Sequence, residues 1–228
     1  MCGRYSVFLE PREVAERFDV AVPDDLQPHY NAAPSQSLPV VTNHDPDRLS
    51  HQQWGLIPAW ADDGFQGLIN ARAETVTEKP AFADAYERRR CLVVADGYYE
   101  WQARDAGKQP YRITLPDEEP FAMAGLWERW TPETTQTGLS EFGTDGPDDG
   151  DDTVETFTVV TTEANEFQSE YHHRMPVVLA PDEEREWLAD PSPDLLDPYD
   201  GEMRAYPVSA KVNSPANDSP EVIEEVDA

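Results

Sequence analysis

The second residue of the chain is a cysteine, Cys2, which directly follows the start methionine in the opening MCGRYSVF. Initiator methionine is commonly removed before a small residue, and removal here would leave an α-amine and a thiol two carbons apart. The amine of such an aminothiol forms a Schiff base with an aldehyde, and the thiol then closes on the imine carbon to give a thiazolidine. Both groups titrate near neutrality, at about 7.7–8.0 and about 8.5. Cys2 is therefore a candidate nucleophile, although its position alone equally fits a small residue packed in a core.

Three polar side chains alternate in GLINARAETV, residues 67–76. Asn70, Arg72 and Glu74 stand at every second position, so an extended segment would point all three to one side. An ordinary polar strand face has the same pattern. The pattern thus predicts a shared face, and the chemistry of that face depends on what lies beside it.

A carboxylate stands among aromatic residues in CLVVADGYYEW, residues 91–101. The apolar run predicts a strand, and its DG pair is typical of a hairpin turn. A turn does not explain Glu100, which lies between Tyr99 and Trp101. Burial between such rings would raise the pKa of Glu100 and suit it to proton transfer near neutral pH.

Two imidazoles and a guanidinium precede an apolar strand in YHHRMPVVL, residues 171–179. Paired histidines can bind metal, but no third ligand stands at a suitable spacing, so we expect no metal and no cofactor. An acid or base, His172, beside an anion-binding Arg174 is the better interpretation. Together with Arg4 and Arg72, this arginine near an aldehyde-reactive centre indicates a phosphate-bearing substrate.

The length and composition restrict the class of protein. A chain of 228 residues fits one large domain or two small ones. No apolar run is long enough for a membrane span, and the N-terminus lacks the pattern of a signal peptide. Two cysteines do not make a disulfide framework. We therefore expect a cytoplasmic protein without a membrane segment.

The charge is extreme, because 46 acidic residues face 17 lysines and arginines. Three of the 17 are lysines, Lys79, Lys108 and Lys211. Acid spread along the chain, with arginine in place of lysine, favours a cytoplasm of high salt such as that of a halophilic archaeon, where screening suppresses self-repulsion. An acidic interaction protein is the alternative. On the first interpretation the net charge reports habitat and does not exclude nucleic acid as a partner.

Helix and strand patterns are mixed without a regular βαβ alternation, which predicts an α+β fold. Helical spacing predicts helices over residues 11–18, 79–90 and 181–188. Alternating or buried apolar runs predict strands over residues 38–42, 51–57, 91–95, 97–102, 111–115, 121–127 and 155–162. Two acidic stretches look unstructured: a loop insertion over about 132–153 and the tail 219–228.

The sequence resembles the SRAP family of abasic-site processing proteins, known as SOS-response-associated peptidases. The matching motifs occur in the family's order and cover most of the chain: MCGRY (1–5), YNAAPSQ (30–36), WGLIPAW (54–60), NARAET (70–75), RRCLVVADGYYEW (89–101), HHRMPVVL (172–179) and PVSAKVNSPANDSPEVI (207–223). The resemblance implies one α+β domain over residues 1–223, with a twisted, partly barrel-like β-core flanked by helices and an acidic tail at 224–228. The insertion and the acid-rich surface depart from the family's pattern.

The resemblance also implies a substrate and site roles. Mature Cys2 would cross-link to an abasic site in single-stranded DNA through a thiazolidine and shield the lesion. Asn70 would hold the N-terminus and sugar, Glu100 would move protons, and His172 would act in sugar ring opening and cross-link reversal. The expected DNA contacts are phosphates for Arg4, Arg72 and Arg174, and bases for Trp54, Pro34 and the loop 54–60. The protein would act as a monomer, associated with the nucleoid during repair.

Two other functions remain open from the sequence. N-terminal-nucleophile amidohydrolases of the glutamine amidotransferase class also begin with Met-Cys-Gly, and there the thiol attacks an amide while the α-amine serves as base. That function assigns no role to Glu100 or His172. A binding module in which Cys2 is incidental is the other possibility.

Overall fold

The computed structural model describes residues 2–105, 107–132 and 152–227. Over these ranges the chain forms three α-helices and thirteen strands, which agrees with the predicted α+β class. The helices are α1 (Pro11–Phe18), α2 (Ala83–Arg88) and α3 (Pro181–Ala189). The strands are β1 (Tyr5–Val7), β2 (His29–Ala32), β3 (Ser37–Thr42), β4 (Asp45–Trp54), β5 (Asn70–Arg72), β6 (Arg90–Ala95), β7 (Gly97–Arg104), β8 (Gly107–Thr114), β9 (Phe121–Trp130), β10 (Val154–Glu163), β11 (Arg174–Pro176), β12 (Val178–Leu179) and β13 (Arg204–Pro207).

Five strands close into a barrel, in the order β10, β4, β3, β6, β9 and back to β10. The β6 strand is buried along its whole length, as its unbroken apolar run predicts. Two short strands extend the barrel through β10: β5 pairs with it in parallel and β11 pairs antiparallel. The parallel pairing places Asn70 opposite Val159, so β5 carries Asn70 and Arg72 along the barrel wall. The predicted extended face does not include Glu74, because residues 73–75 form a 3-10 helix.

A second, antiparallel sheet has the order β13-β8-β7-β1-β2 and carries the start of the chain. Strand β1 lies between β2 and β7, because Tyr5 pairs with Ala32 on one side and with Tyr98 on the other. The ring of Tyr5 also packs on Trp54 with centroids 5.1 Å apart. These contacts draw the N-terminus inward between the two sheets.

A buried ionic cluster fixes β1 to its neighbours. The Asp96 carboxylate accepts hydrogen bonds from the Ser6 hydroxyl at 2.6 Å and from the Phe8 amide at 2.7 Å. Arg112, which has no exposed surface, donates to the same carboxylate at 2.8 Å. Buried charges are tolerated when they are paired and hydrogen-bonded. The DG pair at the β6–β7 junction therefore supplies an anchor for the first strand as well as a turn.

Several predicted element boundaries differ from the structure. The strand predicted over 51–57 ends at Trp54 and is part of the longer β4, which begins at Asp45. The helix predicted over 79–90 occupies only Ala83–Arg88, because residues 79–82 form a turn closed by the Phe82 amide and the Lys79 carbonyl at 2.8 Å and Arg90 begins β6. The prediction that 219–228 is unstructured is wrong for residues 219–227. They include a 3-10 helix, Pro220–Val222, and a bridge between Glu225 and Val208.

Residues 133–151 of the predicted acidic insertion lie outside the described residues. The residues at its two ends belong to neighbouring strands, since β9 and β10 pair antiparallel from Trp130 and Val154 onward. The insertion therefore connects two adjacent strands of the barrel. In the described part of the chain, no helix is both long and apolar enough to cross a membrane.

Removal of the cation from the buried cluster should destabilise the fold. The substitution Arg112→Leu leaves the Asp96 carboxylate buried without its charged partner, which typically costs about 3–5 kcal/mol. Urea unfolding at a fixed KCl concentration measures the loss. The control is Arg12→Ala, which removes an exposed ion pair with Glu16 and should change stability by about 0.5 kcal/mol or less. Equal effects of the two substitutions would show that the cluster does not anchor β1.

Candidate active site

The start of the chain is held inside the protein. Cys2 has no exposed surface, and the Asn70 side-chain amide donates to the Cys2 carbonyl at 2.8 Å. The other end of that amide, Oδ1 of Asn70, is buried and accepts no hydrogen bond from the described residues. A buried acceptor without a donor is costly. Asn70 therefore both fixes the backbone of Cys2 and presents an acceptor for a donor at the site.

The thiol of Cys2 is protonated in this setting. Burial raises its pKa to about 12, and the negative charge of Glu100 adds to the rise, while the positive N-terminus lowers it. Cys91, the other cysteine, is also wholly buried, and burial raises its pKa as well. No charged group shifts the pKa of Cys91, whereas Cys2 interacts with two. This difference distinguishes a site cysteine from a core cysteine.

Glu100 is a buried carboxyl on β7, with 3% of its surface exposed. Burial raises its pKa to about 7, opposed by the positive charge of the chain's N-terminus and by a hydrogen bond from the Trp101 backbone. A carboxyl with this pKa exchanges a proton readily at neutral pH. The aromatic neighbours of Glu100 in the sequence predicted that its pKa would be raised.

His172 lies half-buried just before β11. Its Nδ1 accepts a hydrogen bond from the Arg174 backbone amide at 3.0 Å, and its ring stacks on His173 with centroids 4.2 Å apart. Burial lowers the pKa of His172, and the positive N-terminus lowers it further. The charge of Glu100 acts on the Cys2 thiol, and the segment that carries His172 is joined through Gln168 and Tyr98 to the strand of Glu100, so the structure brings these three predicted residues to one region.

The three predicted phosphate-binding arginines differ in the hydrogen bonds and ion pairs that they form with other residues of the protein. Arg72 is exposed and lines two open cavities of about 500 Å³ and 610 Å³. Arg4 donates from Nη1 to the side chain of Asn31 and to the Val212 carbonyl, both at 2.7 Å. The guanidinium of Arg174 is buried and pairs with Glu74 and with the carbonyl of Thr161. Arg72 is therefore open to an anionic ligand, whereas such a ligand would have to displace Glu74 to reach Arg174.

The predicted base contact of Trp54 does not fit the structure. The Trp54 side chain has no exposed surface, since its ring packs between Tyr5 and Phe157 and its Nε1 donates to the Ile69 carbonyl. A ring without exposed surface offers no face to a base, so Trp54 is a core residue. Pro34 is half-exposed and lines a cavity of about 410 Å³, where a base contact is available.

The sequence interpretation named the loop 54–60 without singling out Trp60, and it missed Lys79; both side chains are exposed. Trp60 is 64% exposed and lines the 610 Å³ cavity together with Asn70, Arg72 and Lys79. The motif WGLIPAW contains two tryptophans, and nothing in its spacing tells which one is buried. Trp54 is the buried one because its ring packs between Tyr5 and Phe157, and Trp60 follows the turn that begins at Gly55, at φ 131°, after the end of β4.

The described residues contain no group of three or more histidines, cysteines or acids arranged to hold a metal ion. The site instead combines a buried aminothiol precursor, two proton-transfer groups and exposed cations beside an aromatic ring. This set of groups suits covalent chemistry on a carbonyl carried by an anionic ligand.

Comparison with known proteins places these groups in a family context. The chain is 42% identical over 238 residues to the abasic site processing protein YoaM of Bacillus subtilis, covering 98% of each chain. It is 31% identical over 260 residues to the abasic site processing protein HMCES of Xenopus tropicalis, covering 97% of this chain and 77% of that protein. The site residues therefore lie in a chain that is similar to these proteins along nearly its full length.

The fold has relatives among solved structures. A crystal structure of a protein from Bacteroides thetaiotaomicron superposes with a TM-score of 0.81 and 28% identity, covering 99% of this chain and 100% of that one. The family described as SOS response associated peptidase (SRAP) matches residues 1–215, which include every site residue named above. The match covers most of the chain, which therefore belongs to the SRAP family.

Proposed function

We propose that this protein processes abasic sites in single-stranded DNA and that Cys2, once Met1 is removed, forms a thiazolidine with the open-chain sugar. The observation that carries the proposal is the position of Cys2, which is buried, held by Asn70 and within electrostatic reach of Glu100. The relatives named abasic site processing proteins support the choice of lesion. The cross-link would shield the lesion from further damage.

The reaction has four steps. Hydrolysis of the Met1–Cys2 peptide bond, by self-processing or by an aminopeptidase, frees the α-amine of Cys2. The amine adds to the sugar aldehyde, and the carbinolamine loses water to give an imine. The thiol sulfur then adds to the imine carbon while its proton passes to nitrogen. The cross-link thus forms with a net loss of one water molecule.

The amine acts before the thiol. A thiol whose pKa is about 12 supplies almost no thiolate at neutral pH. An α-amine titrates at about 7.7–8.0, so a useful fraction is neutral and nucleophilic. The buried Glu100 carboxyl, with a pKa of about 7, is suited to take protons from the amine and thiol and return them to the leaving water.

The other site residues supply position and binding. Asn70 holds the Cys2 carbonyl, and its unpartnered Oδ1 would accept a hydrogen bond from the new amine or the sugar. His172 would act as acid and base in sugar ring opening and in reversal. Arg72 would bind phosphate, assisted by Arg4 and Arg174. Trp60 and Pro34 would contact bases, since single-strand grooves combine cations with aromatic platforms.

Removal of Met1 is required for the cross-link in this mechanism. The intact mass of active protein should lack Met1, and Cys2→Ala should abolish the adduct that survives a denaturing gel with abasic single-stranded DNA. The alanine variant retains an amine, so borohydride should still trap its Schiff base. The matched control is Cys91→Ala, a core cysteine, which should cross-link normally when folded.

Two results would contradict this prediction. A full cross-link by protein that retains Met1 would exclude the aminothiol mechanism, because Cys2 would have no free amine. Release of ammonia from glutamine by wild-type protein, without any DNA adduct, would favour the amidotransferase function.

Glu100→Gln should slow cross-link formation by about 10²–10⁴-fold, the usual scale for a proton-transfer group. The same variant should be more stable than the wild type at pH 8. Burial raises the pKa of Glu100 from 4.5 to about 7, so its stabilising contribution is present below about 4.5 and is lost as pH rises through 7. Glutamine imitates the protonated form at every pH.

Urea unfolding from pH 4.5 to pH 8 checks the sign. The stability advantage of Glu100→Gln should shrink steadily toward pH 4.5, where Glu100 is protonated in the folded state. An advantage that does not depend on pH would show that Glu100 is not a buried carboxyl with a raised pKa. Wild-type cross-linking rates in this variant would show that its role is wrongly assigned.

We also propose that the acid-rich surface reflects a high-salt cytoplasm in which covalent capture replaces tight binding. Two or three phosphate contacts give a log–log salt slope of about −1.4 to −2, so raising KCl from about 0.15 M to about 3 M should weaken reversible binding by about 10²-fold. The final adduct yield should persist, because brief encounters suffice once the bond forms.

Paired measurements across a KCl series test this proposal. Anisotropy with undamaged single-stranded DNA reports reversible affinity, and a denaturing gel with abasic DNA reports adduct yield. Circular dichroism at each salt concentration confirms that the protein stays folded. A yield that falls in parallel with reversible affinity would contradict covalent capture as the reason why an acidic chain tolerates high salt.

A further inference from the structure

A buried glutamine lies at the centre of the segment that carries His172. Gln168 has no exposed surface, and every polar group of its side chain is hydrogen-bonded. Its Oε1 accepts from the Tyr98 hydroxyl at 2.9 Å, and its Nε2 donates to the Arg174 carbonyl at 3.0 Å. Its own carbonyl accepts from the His172 amide at 3.0 Å. A buried polar network that is fully satisfied specifies one arrangement of the groups around it.

Tyr98 connects this network to the strand that carries Glu100. Residues 98 and 100 of β7 are two apart, so their side chains lie on the same face. Tyr98 is wholly buried, and burial together with the negative charge of Glu100 raises its pKa well above the usual value. The hydroxyl therefore keeps its proton and acts as a donor to Gln168.

The orientation of the Gln168 amide follows from its partners. The Arg174 carbonyl can only accept, so the group facing it must be the NH₂ of Gln168 and the oxygen must face Tyr98. A flipped amide would place Oε1 of Gln168 against the Arg174 carbonyl oxygen, so that two acceptors would face each other without a donor. The orientation is thus fixed by the network.

The Arg174 peptide links Gln168 to the imidazole of His172. Its amide donates to Nδ1 of His172 at 3.0 Å, so this nitrogen acts as an acceptor and the neutral ring carries its proton on Nε2. The competing tautomer would donate from Nδ1 to the Arg174 carbonyl, which lies 3.3 Å away. Gln168 donates to that carbonyl and so competes with Nδ1 of His172 for it, which favours the first tautomer.

We infer that Gln168, oriented by Tyr98, is a positioning residue that fixes the tautomer and ring orientation of His172. The inference rests on the proposed function for its consequence in catalysis. His172 then presents an N–H to the sugar, while Glu100 on β7 presents a proton acceptor. The hydrogen bonds between Tyr98, Gln168 and Arg174 connect the elements that carry these two groups, so the network sets their separation.

Imidazole nitrogen NMR tests the tautomer directly. At pH 8, above the lowered pKa of His172, the wild type should show the Nε2–H form, with the signal assigned by its loss in His172→Gln. Gln168→Met keeps the length of the side chain and removes its polar groups, so it should populate the Nδ1–H form. Tyr98→Phe removes only the hydroxyl and should shift the tautomer ratio in the same direction to a smaller extent.

Gln102 provides a matched control. Its side-chain amide also joins β7 to this segment, since its Nε2 donates to the Glu170 carbonyl at 2.9 Å, but it does not contact the Arg174 peptide. Gln102→Met should leave the tautomer unchanged and the cross-linking rate within about twofold of wild type. Gln168→Met should slow cross-linking by about 10- to 100-fold, the range found for partners that orient a functional imidazole.

The outcomes separate this inference from the proposed function. An unchanged tautomer in folded Gln168→Met, or an equal shift in Gln102→Met, would overturn the inference. Should Gln168→Met fail to fold, Tyr98→Phe decides, and a wild-type tautomer ratio there would overturn the inference. The NMR measurement uses no DNA, so failure of the wild type to form any adduct would reject the proposed function while the tautomer result still stands.

Discussion

The burial of residue 2 is the constraint on which the rest of the structure depends. Chain ends are usually mobile and solvated, because few contacts repay the entropy of ordering them. Here β1 pairs on both sides, Asp96 accepts from Ser6 and Phe8, and Asn70 holds the Cys2 carbonyl. The second sheet and the buried ionic cluster together supply the contacts that hold a reactive terminus in a fixed place.

That constraint also determines the chemistry of the site. Burial disfavours charge, so it keeps the Cys2 thiol protonated and raises the pKa of Glu100 into the neutral range. At neutral pH such a site contains almost no Cys2 thiolate, whereas the Glu100 carboxylate is a good proton acceptor. The same burial that lowers the reactivity of the thiol therefore favours a reaction that begins at the amine, which is the group that Met1 removal would expose.

The sequence predicted the site residues that can be recognised from their position or from their immediate neighbours along the chain. Cys2 follows from its position, Glu100 from its aromatic neighbours, and Asn70 with Arg72 from alternation along a strand. The structure places Asn70 at the Cys2 carbonyl and Glu100 within electrostatic range of the thiol, and their catalytic roles are predictions. The α+β class and the strands that make up the barrel were predictable for the same reason, since apolar periodicity is a local signal.

The missed features depend on contacts between distant parts of the chain. Trp54 and Trp60 belong to one motif, and only the packing of Tyr5 and Phe157 shows which ring is buried. Gln168 looks like a polar loop residue until Tyr98 and Arg174 are brought to it. The chain end at 219–227 has an acidic composition typical of disorder. Val222 is nevertheless buried in a hydrophobic cluster with Tyr99 and Tyr206, which lie on β7 and β13 of the second sheet. Such long-range contacts leave no periodic trace in the sequence.

An acidic surface and a cavity proposed to bind DNA are compatible because their electrostatic effects act over different distances. The net charge of −29 repels a polyanion over the Debye length, which is about 8 Å at physiological salt and about 3 Å at 1 M. Arg72 and Lys79 line the same cavity as Asn70, and among the described residues neither forms an ion pair. Their attraction for phosphate acts at contact distance, where screening removes less of it. High salt thus suppresses the long-range repulsion first and leaves a short-range cationic site beside the buried terminus.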